Sequence, residues 1–268
     1  MSLRSYEPSA EGRGLDQELA RLEAQVAVSW SEEARMLEHL GLEDGCRLLE
    51  VGCGPGFVTA RILERWPSIH VTAVDHDAML LARARGALPS SRVTMLGGAA
   101  EALPCEDAAF DAVLFRYVLQ HLPDLRKAVR EAWRVLRPGG RAFAIDVDAA
   151  CWGVAAPQFP EVIPIFAKTG PAQAVRGGDR LIGRKLHRVL EDGGFRDARL
   201  DVFAYHSDAL GLDAFEPQLS ADRLLPLVAG GVISASDLDV VRHAHRRFRE
   251  APGAFVMMLG FIGSGTRS

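Results

Sequence analysis

From residue 47 to residue 147 the chain alternates between short apolar runs and amphipathic stretches, and this rhythm restricts its fold more than any other feature. The runs at 47–51, 69–74, 93–96, 112–117 and 141–147 have the length and apolar content of strands covered on both faces. Between them, 58–65, 78–87 and 125–136 carry helical spacing. The last is the clearest, with Leu125, Ala128, Val129, Ala132 and Leu136 on one face behind Asp124 as an N-cap, and Pro138-Gly139-Gly140 as the stop. Strands joined through helices predict an α/β fold with a mainly parallel sheet and right-handed crossovers.

The flanks read differently. Residues 1–14 show no periodicity and predict a loose arm. Leu15, Leu19, Leu22 and Val26 then mark a helix face. Ser29 followed by Glu32 matches a capping box, which predicts a second helix from Trp30 to Leu40, halted by Gly41 and Asp44-Gly45. After residue 148 the rhythm stops. The segment 149–178 holds Pro157, Pro160, Pro164 and Pro171 among apolar residues, a helix is expected near 179–191, and strands near 198–205 and 254–262 bracket a mostly helical stretch, 207–252. No repeat or linker divides the chain. We therefore expect one domain over 1–268: an N-terminal arm with helices (1–44), a ligand-binding core (45–148), and insertions at 149–178 and 207–252 serving as lid.

Composition excludes several function classes. A net charge of −4 gives no broad electrostatic footprint for nucleic acid. No apolar stretch approaches the roughly 20 residues that span a bilayer, and MSLRSYEPSAEG lacks a signal peptide's apolar centre, so a cytoplasmic protein without membrane contact is expected. Cys46, Cys53, Cys105 and Cys151 show no C-x-x-C spacing, which predicts free thiols and no metal site. His243 and His245, two apart on a predicted helix, point to different faces and read as solvated residues.

The stretch LLEVGCGPGF (48–57) ends a strand and opens a helix through Gly52, Gly54 and Gly56, and the next strand ends in Asp75. An acid there accepts hydrogen bonds from the ribose hydroxyls of an adenosine. The spacing G-x-G-x-G departs from the G-x-G-x-x-G of dinucleotide loops. Glu50 adds a charge argument. A carboxylate about 5 Å from a phosphate charge costs on the order of 3 kcal/mol at an effective dielectric near 20, whereas it favours an ammonium or a sulfonium. A sulfonium nucleoside therefore suits this loop better than NAD.

LLEVGCGPGFVT resembles the first motif of the class I S-adenosylmethionine-dependent methyltransferases, AVDHDAML (73–80) their second, 97–124 the stretch that lines the adenine, and RVLRPGGRAFAID (134–146) the close of the set. The resemblance implies a Rossmann-like doubly wound sheet of seven strands whose last strand is antiparallel, with S-adenosyl-L-methionine as cofactor. With Glu50 close to whatever fills the loop, it places Gly52, Gly54 and Gly56 near the methionine, Asp75 on the ribose, and His76 and Met79 on the adenine face. Ala100 and Glu101 fall along the adenine edge, and Arg116 just past the fourth strand. Ala99 departs from the pattern, since many relatives have there an Asp that bonds the adenine amino group. The arm SYEPSAEGRGLDQELARLEAQ is similar to a lead-in whose Tyr, Arg and Gln close over the cofactor, matching Tyr6, Arg21 and Gln25; an exposed helix Arg explains Arg21 equally well.

The expected reaction is methyl transfer to a nucleophile on a small, largely apolar molecule, with neither nucleic acid nor membrane as partner and the oligomeric state left open. His121, Tyr117, Asp146 and His206, at or beyond strand ends or at the sheet's edge, are the candidate bases, each with a structural role as rival. Trp152, Phe159, Phe166 and Phe215 are the candidate pocket aromatics. FDAVLFRY lacks the N/D-P-P-Y run of amino-methylating DNA enzymes, the roughly 45 residues before the first strand are too few for the dimerisation domain of plant-type phenolic enzymes, and 146–148 makes no carboxylate cluster. A nicotinamide oxidoreductase and a non-catalytic S-adenosylmethionine-binding module are the rival readings.

Overall fold

The computed structural model describes residues 15–89, 91–151 and 153–268. The rhythm of the core becomes β1 (Arg47–Val51), α2 (Phe57–Arg65), β2 (His70–Asp75), α3 (Ala78–Ala87), β3 (Val93–Gly97), β4 (Phe110–Arg116), α4 (Leu125–Val135) and β5 (Leu136–Asp146), preceded by α1 (Leu15–His39). Beyond it lie β6 (Gly153–Ala156), the short helices α5 (Ile163–Ala167) and α6 (Thr169–Ala174), then α7 (Leu186–Asp192) and β7 (Phe195–His206). Three more short helices, α8 (Ser207–Leu210), α9 (Glu216–Leu219) and α10 (Leu225–Ala229), lead to α11 (Ala235–Glu250) and β8 (Phe255–Arg267).

The sheet has eight strands in the order β3-β2-β1-β4-β5-β8-β6, with β7 also on β8. Neighbours from β3 to β5 are parallel, and β8 runs antiparallel to β5, β6 and β7. The eighth strand, β6, extends the expected seven; it pairs with Phe255–Met258 of β8, ahead of the part that pairs with β5. The strand order reverses direction between β1 and β4, and in open α/β sheets ligands bind at the carboxyl ends beside such a switch.

Alternation within the strands fills a core on each face. Leu48, Leu114, Phe143 and Ile145 pack with Leu37 of α1 and Ile62 of α2, while Leu49, Val113, Phe115, Ala142 and Ala144 pack with α4 and α7. A third, smaller core joins the two insertions: Ile165 of α5 meets Leu238 and Val241 of α11, with Leu224 and Ile233. Lys168–Asp237 (2.8 Å) and Arg247–Glu161 (3.0 Å) link the same segments at the surface.

Three expectations are corrected. The helix break at Ser29 does not occur, because Ser29 is fully buried and its hydroxyl donates to the Gln25 carbonyl (3.0 Å) instead of capping. Pro138-Gly139-Gly140 lies inside β5, where the pairing with β4 shifts register. The helix expected from 179 starts later, after a 3-10 turn at Gly183–Lys185, since Gly183 N–H donates to the Val147 carbonyl. No helix among the described residues is long and apolar enough to cross a membrane.

Candidate active site

A cleft of about 1010 Å³ opens at the carboxyl ends of β1, β2 and β4 and extends under α1, α6, α9 and α10. Its floor is the turn between β1 and α2. Gly52 (φ 76°) and Gly54 (φ 53°) both take left-handed backbone, and a Cβ on Gly52 would stand 2.3 Å from Val118 Cγ2. The turn spends its own donors. Gly52 and Cys53 N–H both donate to the Val74 carbonyl (2.7 and 3.1 Å), Gly54 N–H to Asp75 Oδ2 (2.7 Å) and Gly56 N–H to the Cys53 carbonyl (3.0 Å), while Pro55 has none.

Two carboxylates stand over this floor. Glu50 is 2% exposed, and its Oε2 accepts from the Thr59 hydroxyl (2.6 Å) in the first turn of α2. Burial pushes its pKa up to about 7, against the Thr59 hydrogen bond and the Arg116 charge. Asp75 accepts from Gly54 and, through Oδ1, from Asp77 N–H (2.9 Å). Burial raises its pKa, but hydrogen bonds from His76, Asp77 and Gly54 outweigh it and hold the carboxyl below its ordinary value. With two lone pairs per oxygen, Asp75 keeps acceptor capacity for ligand hydroxyls.

Arg116 also reaches the cleft. Its guanidinium is clamped by Glu33 of α1 (2.7 and 3.0 Å) and by the Ser29 hydroxyl (3.1 Å), and it lies over the Tyr117 ring at 4.5 Å. Arg21, on the same helix, lines the cleft and is paired with Glu18 at 2.6 Å.

Among the proposed bases, Tyr117 and His121 line the cleft. Tyr117 takes a positive φ of 55°, and burial with the neighbouring Tyr205 and Glu33 lifts its pKa well above the usual phenol value. Burial, then the charges of Arg180, Arg21 and Arg176, press His121 down to about 3. Both are therefore neutral near pH 7, and neither is primed as a proton acceptor.

The remaining two candidates fall elsewhere. Asp146 is fully buried, its oxygens accepting from Gln120 N–H (3.0 Å) and Val147 N–H (2.9 Å); it fixes the loop after β4 to the end of β5. Burial raises its pKa to about 7. His206 ends β7 away from the cleft, with its ring 5.8 Å from Phe255.

Of the other expected contacts, His76, Ala100 and Gln25 line the cleft. Gly56, Met79 and Glu101 do not. Gly56 caps α2 against α3, where a Cβ would meet Leu88 and Ala84, and Met79 points to solvent at 49% exposure. Tyr6 and Trp152 lie outside the described residues. Phe166 lines the cleft, whereas Phe215 is fully buried against Tyr205 and Phe159 packs on the core under Arg247. His245, read as solvated, is bonded to Glu216 at 3.1 Å. No three His, Cys, Asp or Glu side chains among the described residues are arranged to hold a metal ion.

Sequence reasoning missed Glu18, Gln173, Arg176, Arg180, Gln218 and Arg223, all in the cleft wall. Only Arg176 and Arg180, two charges within a Pro- and Gly-rich stretch, left a signal that was open to reading.

Residues 49–144 match a family model described as a methyltransferase domain. The chain is 34% identical over 171 residues to an uncharacterized 37.1 kDa protein in transposon TN4556 of Streptomyces fradiae, covering 62% of this chain and 48% of that one. It is 40% identical over 104 residues to a ubiquinone/menaquinone biosynthesis C-methyltransferase of Methylobacterium nodulans, covering 37% and 41%. The chain thus spans about half the length, or less, of these curated relatives. The fold is similar to that of Haemonchus contortus phosphoethanolamine N-methyltransferase 2 solved with S-adenosyl-L-methionine, at a TM-score of 0.58 and 18% identity over 89% of this chain and 53% of that one.

Proposed function

We propose that this chain, which carries a methyltransferase domain over residues 49–144, transfers a methyl group from S-adenosylmethionine to a small-molecule acceptor. One observation carries the choice of cofactor: the glycine turn has no N–H to offer a phosphate. All four amide donors from Gly52 to Gly56 are bonded within the protein, and the Glu50 carboxylate, at the end of β1, accepts from Thr59 in the first turn of α2, close to where a pyrophosphate would otherwise find the helix N-terminus. A cationic ligand meets the opposite situation. The residues present fit the sulfonium nucleoside: Glu50 would meet its ammonium, Asp75 its ribose hydroxyls, and Ala100 and His76 its base, while Arg21, already forked onto Glu18, lies in the same wall.

The cofactor, when bound, supplies a methyl group already activated by positive charge. The chain's task is placement and exclusion of water, for which α1 and the joined insertions form the cover. With Tyr117 and His121 both neutral, an acceptor nucleophile that needs no deprotonation in the rate-setting step fits best.

The test pairs calorimetric titration of S-adenosylhomocysteine and NADH with transfer of a labelled methyl group to a panel of phenols, amines and carboxylic acids. Binding of the thioether nucleoside and labelled product are expected. NADH binding with no affinity for the nucleoside overturns the reading, and nucleoside binding without product from any acceptor leaves the chain a binding module.

A further inference from the structure

The cleft wall packed on the loop after β4 is cationic. Arg176 and Arg180 both line it, and neither forms an ion pair among the described residues. Arg180 is the more telling. It is partly buried, its Nε is shut off from solvent without a hydrogen-bond partner, and its one side-chain bond is a long one, Nη1 to Gln173 Oε1 at 3.4 Å. Asp146, whose charge acts on it without an ion pair, is already committed to the Gln120 and Val147 amides. A desolvated guanidinium without a counter-ion is costly to keep, and its cost is relieved when a carboxylate or phosphate completes the fork.

Its surroundings prepare it for that role. The backbone on either side is pinned: Ala149 N–H donates to the Arg180 carbonyl (2.8 Å), and Asp179 N–H to the Gln120 carbonyl (2.8 Å). Gln173 Nε2 donates to that Gln120 carbonyl (2.9 Å) and lies 3.4 Å from His121 Nδ1, which turns its Oε1 to Arg180. Nearby Asp148 and Asp179 are taken by Arg184 and Lys185. On α9, a different wall of the same cleft, both amide atoms of Gln218 lack partners.

We propose that the acceptor carries an anionic oxygen group, carboxylate or phosphate, which Arg180 binds with Arg176 beside it. The proposal rests on the methyl-transfer reading for calling this molecule the acceptor, while the anion site itself stands on the wall's own geometry. It also changes the chemistry expected from the aromatic residues, since of Phe159, Phe166 and Phe215 among the described residues Phe166 lines the cleft: an apolar body, an anionic end.

The test uses the full chain, with and without saturating S-adenosylhomocysteine, titrated by calorimetry with benzoate, phenyl phosphate and the neutral benzamide. Benzoate or phenyl phosphate is expected to bind at least tenfold tighter than benzamide, and whichever binds better names the source of the charge. Arg180→Gln should lower that affinity at least tenfold while S-adenosylhomocysteine affinity changes less than twofold. In parallel, the His121 ring signals followed by NMR should titrate at higher pH with the anion bound, because it offsets the arginines facing the ring. Equal binding of benzamide, or no binding of either anion, overturns the proposal even if Arg180→Gln fails to fold. An unchanged anion affinity in a folded Arg180→Gln also overturns it. Loss of nucleoside binding by the wild-type chain removes the cofactor reading instead, and the anion titration without nucleoside then decides the site by itself.

Discussion

At the scale of single residues, Glu50, Asp75 and Gly52 each support a separate measurement. Glu50 has a folded pKa near 7 against 4.5 for the free group, so its contribution to stability is full below about pH 4.5 and is lost as pH rises through about 7. Asp146 acts in the same direction from 3.8 to about 7. Thermal melts of Glu50→Gln between about pH 5 and 8 should therefore slope less than those of the wild type. Ligand linkage runs the other way: the ammonium of the ligand favours ionised Glu50, so calorimetry should show S-adenosylhomocysteine binding tighten with rising pH, by at most about tenfold per pH unit, and lose that trend in Glu50→Gln. Asp75→Ala should weaken the same ligand by about 1.5–3 kcal/mol, and an unchanged dissociation constant removes Asp75 from the site. Gly52→Ala combines a left-handed φ with a Cβ 2.3 Å from Val118, so a loss of about 2–4 kcal/mol is expected in urea unfolding, partly restored by Val118→Ala.

Among elements, α1 shows where reading from sequence stops. Asp124 was legible as a cap because capping is local, and Asp124 Oδ1 does accept from Lys127 N–H (3.1 Å). Ser29 carried the same local signal and was misread, because its partner is Arg116, placed by the tertiary fold. The strands and helices of 47–147 were legible within a residue or two, apart from the early start of β5, since burial on both faces leaves continuous apolar runs. The insertions were not, because their short helices begin at prolines and hold together through a core that only forms when both meet. For the same reason Gln218 escaped notice. The Glu33–Arg116 pair makes α1 part of the site, with side chains 0% and 8% exposed. Removing one partner, as in Glu33→Gln, should cost about 3–5 kcal/mol, and the apolar double replacement Glu33→Leu with Arg116→Met should recover most of it in urea unfolding.

For the molecule as a whole, the cleft draws on α1, the β1, β2 and β4 ends and both insertions, so a ligand there joins parts that are distant in sequence. S-adenosylhomocysteine at about a hundred times its dissociation constant should add about 2.7 kcal/mol to unfolding, read as a rise in melting temperature. Slower amide exchange in α1 and α9 should accompany it. The antiparallel strand β8 carries a further consequence. It fills the space beside β5, β6 and β7, three strands made before it, and among the described residues β6 and β7 pair with it and with no other strand. A nascent chain leaving the ribosome therefore holds all three strands without this partner until that late strand inserts, and this interval, when stray pairing is easiest, is when a chaperone has most to shield.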